Sequence, residues 1–136
     1  MCGIVGAVCE RDVYCILIEG LKRLEYRGYD SAGLSLLNNG NINTQKTIGK
    51  VVDLENLFGE SLPSGTVGIA HTRWATHGVP SSINSHPHTS GPISVVHNGI
   101  IENHNELRKE ITELGIKFSS NTAVSYTHLT LPTMIR

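Results

Sequence analysis

The sequence, 136 residues long, is short of charge, of cysteine and of long apolar runs, and each shortage narrows what the chain can be. Charged side chains make up 17% and the net charge is −1. There is no excess of positive charge to meet a nucleic-acid backbone or an acidic membrane surface, so a small neutral or zwitterionic ligand fits better. The three cysteines, Cys2, Cys9 and Cys15, are an odd number without a CxxC pair, which argues against a disulfide framework and a zinc knuckle. No apolar run approaches the roughly 20 residues that span a bilayer, and the opening MCGIVGAV lacks the basic and long apolar regions of a secretory signal. The composition reads as a cytoplasmic chain of one domain, long enough to bury a core.

What is present is an ordered series of element signals. Residues 3–9, GIVGAVC, form a short apolar run that suits a strand buried on both faces. From Asp12 the period changes: Val13, Ile16, Leu17, Gly20, Leu21 and Leu24 recur at helical spacing, with Asp12 as N-cap and Gly28 just past the end. AGLSLL at 32–37 and INTQKTI at 42–48 flank Asn38-Asn39-Gly40-Asn41, which can supply the positive φ angles of a tight hairpin turn. A short helix is expected over 53–58, then strands at 66–72 and 93–98. Between them lies a polar stretch with Pro80, Pro87 and Pro92, read as a loop without regular structure and a natural place for a site. Asn103 and Glu106 have capping-box spacing ahead of Leu107, Ile111 and Leu114, Gly115 stops that helix, and IKF at 116–118 reads as a further strand. Strands close together in sequence, without strict βαβ alternation, favour an antiparallel α+β fold.

The chemistry centres on Cys2. Removal of Met1 would leave one residue with both a thiol, whose ordinary pKa is about 8.5, and an α-amine near about 8 that can take the thiol's proton. By position alone Cys2 reads as an incidental small residue at a strand start; the bland readings of the others are a surface arginine for Arg73, a core aromatic for Trp74 and a turn dipeptide for Asn98-Gly99. Gly28 and Asp30 have a plain structural account as helix stop and turn former. Seven histidines raise a metal site built from His86 and His88 with His71, His77 or His97, but no carboxylate or thiolate stands at a ligand spacing and no metal is expected. Cys9 and Cys15 are expected as small buried hydrophobes.

CGIVGA at 2–7, LEYRGYDSAG at 24–33, IAHTRWATHG at 69–78, NSHPH at 84–88 and VVHNGIIENH at 96–104 together resemble the glutaminase domain of the glutamine:fructose-6-phosphate aminotransferase family. CGIVG is common to the class II glutamine amidotransferases, whereas YRGYDSAG and HTRWATHG narrow the match. The resemblance runs over 2–122 and implies an N-terminal-nucleophile hydrolase fold, a four-layer αββα sandwich, here incomplete at the C-terminus. It implies Cys2 as nucleophile, with Asn98 and Gly99 forming the oxyanion hole. Arg73 would hold the α-carboxylate of L-glutamine, Thr76 and His77 would line the same pocket, and Trp74 would close over the substrate. Arg27 and Gly28 would support the site beside Cys2. No cofactor is implied. The ammonia would serve fructose 6-phosphate, bound by sugar isomerase domains that this chain lacks, in a protein that is a homo-oligomer at full length.

After residue 122 the resemblance stops. The family runs through Thr-Asp-Thr-Glu, whose aspartate binds the ammonium of glutamine; here the chain reads SSNT and then Ala123. AVSYTHLTLPTMIR at 123–136 matches nothing in the family, and VSYTHL is what one frame of a transposase mosaic end encodes, so this tail is expected to be read-through from an assembly artefact. A chain without that carboxylate is expected to be a weak or inactive glutaminase by itself. Two rivals stand beside this reading: another class II amidotransferase with a different acceptor, and a non-catalytic glutamine-binding module.

Overall fold

The computed structural model describes residues 2–74 and 81–118. Four strands, β1 (Gly3–Val8), β2 (Ser31–Asn38), β3 (Asn41–Ile48) and β4 (Val67–Arg73), form one antiparallel sheet in the order β1-β4-β2-β3. β2 and β3 turn at Asn39 (φ 50°) and Gly40 (φ 79°), and this positive-φ pair is the hairpin turn expected of Asn38–Asn41. Helices α1 (Tyr14–Leu24) and α2 (Val51–Phe58) cover one face of the sheet. A one-turn 3-10 segment, Glu25–Arg27, joins α1 to β2.

The core is the seam between those helices and the sheet. Val13, Tyr14, Leu17, Ile18 and Leu21 pack with Leu34, Leu36 and Ala70 of the sheet and with Val51 and Leu54 of α2; Tyr14 and Ile18 are buried where the spacing had pointed to Ile16, Gly20 and Leu24, which are half-buried. Across the sheet the register puts Gly33 opposite His71, Ser35 opposite Ile69 and Gly6 opposite Ile69 on the other face. There a second, two-stranded antiparallel sheet begins: β5 (His88–Ser90) and β6 (Ile93–Val95) turn at Gly91-Pro92. The Ser94 hydroxyl reaches the Ser35 hydroxyl of β2 at 2.7 Å, tying this hairpin to the first sheet. Helix layer, sheet and the start of a second sheet are the first layers of the expected αββα sandwich. The last helix, α3 (His104–Glu113), buries Ile111 alone of its own residues.

Several expectations need correcting. β1 is an edge strand of the described sheet and is buried on one face: Gly3, Val5 and Ala7 turn towards α1, while Val8 is 78% exposed on the other side. Asp12 does not cap α1; its carboxylate accepts from the Ser64 hydroxyl (2.7 Å) and the Gly65 N–H (2.9 Å), bonds that hold it below the usual carboxylate range, and α1 starts one residue past Val13. The loop between 72 and 93 contains β5, because His88 and Ser90 can pair with β6 across a two-residue turn. α3 has Asn103 at its N-cap, but its side chain makes no capping bond, so the capping box is not formed. Residues 116–118 are not a strand: no described strand lies alongside to take their N–H and C=O groups. Cys15 is exposed, since it falls on the solvent side of the α1 stripe.

Candidate functional site

β1 and β4 are neighbours, and that pairing brings the two chain segments of the site together. Gly3 lies opposite Thr72, so Cys2 falls beside the end of β4. The Trp74 N–H donates to Cys2 Sγ at 3.3 Å, and the thiol faces the Trp74 carbonyl at 3.6 Å. The half-buried thiol is therefore held by backbone, which no side-chain change on Trp74 removes. The Trp74 indole, 43% exposed, meets Tyr29 edge-on with ring centroids 5.2 Å apart.

Asn98 closes the other side. Its Nδ2 donates to the Cys2 carbonyl at 3.1 Å, and its Oδ1 lies 2.7 Å from Nε2 of His71 on β4. An amide nitrogen has two hydrogens, so one N–H remains for a group bound beside the thiol. Gly99 follows with φ 145°, a backbone angle that L side chains rarely adopt. Burial, chiefly, pushes His71 down to about 4, which leaves the imidazole neutral at pH 7.

Arg73 is buried at the end of β4, on the sheet face shared with Ser31, and its carbonyl accepts from the Asp30 N–H at 3.1 Å. Its guanidinium and the Cys2 thiol thus sit at the same end of one strand pair. Arg27 is exposed, its Nε donating to the Tyr26 hydroxyl at 2.9 Å, and it makes no hydrogen bond to Cys2. Gly28 does not serve as a helix stop through a positive φ: its φ is −170°, open to any residue. What it provides is room, because a Cβ there would lie 2.8 Å from the Arg73 carbonyl carbon and 3.0 Å from the Trp74 nitrogen. Thr76 and His77, and the tail from 123 onward, lie outside the described residues.

The sequence left the NSHPH segment without a role. Asn84, Ser85, His86 and His88 are buried on the sheet, and Lys46 Nζ donates to the Ser85 carbonyl at 3.1 Å. His86 stacks on His71 with centroids 4.2 Å apart and planes 22° apart, and His88 meets His86 edge-on at 4.7 Å. These imidazoles pack ring against ring, and no cluster of ligating side chains suited to a metal occurs among the described residues. Among those residues, too, no helix is long and apolar enough to cross a membrane.

No protein-family model matches the chain. Individual proteins do. The glutamine–fructose-6-phosphate aminotransferase (isomerizing) of Acinetobacter baylyi is 59% identical over 122 residues, and that of Pseudomonas putida is 61% identical over 124. The chain matches the N-terminal segment of these aminotransferases. Each alignment takes in 90% of this chain and 20% of the relative, so the chain spans about a fifth of the length of the curated relatives it matches. Among solved structures, glutamine phosphoribosylpyrophosphate amidotransferase from B. subtilis superposes with a TM-score of 0.75 over 90% of this chain and 28% of that one, at 23% identity. The allosteric regulatory enzyme of purine biosynthesis gives 0.74 over 85% of this chain and 26% of its own, at 24% identity. At those identities the likeness concerns fold alone: the chain shares, in part, the fold of these two enzymes.

Proposed function

We propose that this chain carries the nucleophile and part of the substrate pocket of a cytoplasmic glutaminase, and that the longer protein uses the ammonia to convert fructose 6-phosphate to glucosamine 6-phosphate. The observation that carries the reading is the convergence of Cys2 and Asn98, 96 positions apart, through the 3.1 Å bond from Asn98 Nδ2 to the Cys2 carbonyl. Identity of 59–61% to aminotransferases favours a sugar acceptor over another class II acceptor.

In this reading cleavage after Met1 frees the α-amine of Cys2, which takes the thiol proton. Sulfur attacks the side-chain carbonyl of L-glutamine, and the oxyanion is met by the spare Asn98 N–H and the Gly99 N–H. Loss of one such donor costs about 3 to 4 kcal/mol of transition-state stabilisation. The C–N bond then breaks, the amine's proton leaves with ammonia, and water hydrolyses the γ-glutamyl thioester to glutamate. Arg73 anchors the substrate's α-carboxylate by paired hydrogen bonds. Thr76 and His77 line the pocket, Trp74 closes it, and Arg27 with Gly28 supports it.

The test uses a full-length aminotransferase in which residues 2–122 of this chain form the N-terminal segment. Mass spectrometry should find Met1 removed and a diazoketone analogue of glutamine attached to Cys2, and Cys2→Ala should abolish both labelling and glutamine hydrolysis. Hydrolysis that survives Cys2→Ala, or labelling elsewhere, refutes the assignment. A folded protein that binds glutamine without hydrolysing it would point instead to a binding module.

A further inference from the structure

Asn98 can serve an oxyanion only if its amide is turned the right way and held there. One bond sets the turn. The Cys2 carbonyl can only accept, so the amide atom 3.1 Å from it is the nitrogen, and Oδ1 is the atom facing His71. An amide oxygen also only accepts. The 2.7 Å contact therefore requires a proton on Nε2 of His71, and a neutral ring carrying it there has none on Nδ1.

We propose that His71 is a positioning residue: its Nε2–H clamps the Asn98 amide in the orientation that presents the second N–H to the oxyanion. This rests on the glutaminase reading above. His71 makes no hydrogen bond to the Cys2 thiol, so it acts through Asn98 and not on the reacting atoms. Burial keeps the ring neutral at pH 7, which preserves the single-proton tautomer that the clamp needs.

The ring is itself held. β4 points His71 to the face opposite α1, and His86 stacks flat against it at 4.2 Å. His86 can lie so close to the sheet because Gly33, directly across from His71 in the β2–β4 register, has no side chain; a Cβ there would collide with the His86 carbonyl oxygen. On the far side, Lys46 Nζ ties down the preceding Ser85 carbonyl. The histidine of IAHTRW, the glycine of YDSAG and the NSHPH segment thus form one support running from β3 to Asn98, which gives three sequence motifs a common purpose.

Two measurements test the clamp. In this chain, uniformly labelled with 15N at histidine, the His71 ring at pH 7, identified by its loss in His71→Gln, should show the Nε2-protonated tautomer; the Nδ1-protonated form overturns the proposal without any activity assay. In the full-length protein described above, His71→Leu should lower kcat for glutamine hydrolysis 10- to 100-fold with KM within threefold. His71→Gln, which keeps an N–H donor, should stay within fivefold of the parent. His71→Leu combined with Asn98→Ala should be no slower than Asn98→Ala alone. Equal losses in the Leu and Gln variants, additive losses in the double variant, or an unchanged kcat in a folded His71→Leu protein each overturn it. Cys2→Ala separates the two ideas: if it leaves turnover intact the glutaminase reading falls, whereas full loss there beside an unaffected His71→Leu removes only the clamp.

Discussion

Replacing Gly28 by alanine is the most direct probe of how the site is built, because it leaves every proposed chemical group in place. The φ of −170° means that alanine meets no backbone penalty, so any effect is steric. The added Cβ would lie 2.8 Å from the Arg73 carbonyl carbon, 2.9 Å from its oxygen and 3.0 Å from the Trp74 nitrogen, where ordinary contacts begin near 3.4 Å. All three are backbone atoms, so no side chain can swing aside. The end of β4 must move off the 3-10 segment by several tenths of an ångström, and two bonds move with it: Asp30 N–H to the Arg73 carbonyl and Trp74 N–H to Cys2 Sγ. Overpacking of this kind costs about 1 to 3 kcal/mol, and a weakened hydrogen bond about 1 kcal/mol more. Urea unfolding of Gly28→Ala should therefore show a loss of about 2 to 4 kcal/mol with an unchanged slope. In the full-length protein, labelling of Cys2 should slow. Gly40→Ala is the contrast: it has φ 79° and no atom within 4 Å, so its cost of about 1 kcal/mol comes from conformation, and asparagine should recover most of it. At Gly28 asparagine should be no better than alanine. A Gly28→Ala chain within about 0.5 kcal/mol of the parent, labelled at the parent rate, refutes the reasoning.

Three further outcomes are expected. Leu34→Ala, which removes a fully buried side chain from the seam between α1 and the sheet, should cost about 2 to 5 kcal/mol in denaturant unfolding; a loss below about 1 kcal/mol would contradict the packing described. Arg73→Lys should raise KM for glutamine about 10- to 100-fold with a smaller change in kcat, because a point charge replaces a planar fork; an unchanged KM removes Arg73 from carboxylate binding. Stability should fall in acid. Burial depresses His71 to about 4 and His86 to about 2, with the neighbouring imidazoles and Arg73 adding to the effect, so below pH 6.5 the unfolded chain binds protons that the folded one does not. At about 1.4 kcal/mol per pH unit, His71 alone accounts for a loss of about 3 kcal/mol between pH 6.5 and 4. A His86→Leu chain should show a shallower slope of unfolding free energy against pH, and an equal slope in both chains would argue against buried neutral imidazoles.

Features written locally were legible in the sequence. The Asn39-Gly40 turn came out as read, and the α1 helix did so in its Val13, Leu17 and Leu21 positions, because both are set by residues within a few positions of one another. Features set by distant partners were not. Asp12 had the right spacing for a cap, but the Ser64 hydroxyl and the Gly65 N–H, more than 50 residues away, take its carboxylate. Residues 116–118 had strand-like composition, but no described strand pairs with them. His88 looked like loop because its pairing with Val95 and its burial depend on the sheet beneath.

The same division runs through the site. Cys2, Arg73, Asn98 and Gly99 stood out by motif, whereas the reason for Gly28 and Gly33 appears only when their opposite strands are known. Both look like punctuation in the one-dimensional sequence. In the fold each is a place where backbone meets backbone: Gly28 against the residues that hold the thiol, Gly33 against the segment that holds His71. Spaces of this kind leave no periodicity and no charge pattern, so they are invisible to any reading of composition. They nevertheless let the segments that hold the thiol and His71 lie as close to the strands as they do. If the clamp on Asn98 holds, substitution at these two glycines, or loss of the N–H donor at His71, should impair the site although none of the three residues touches the substrate in the proposed reaction.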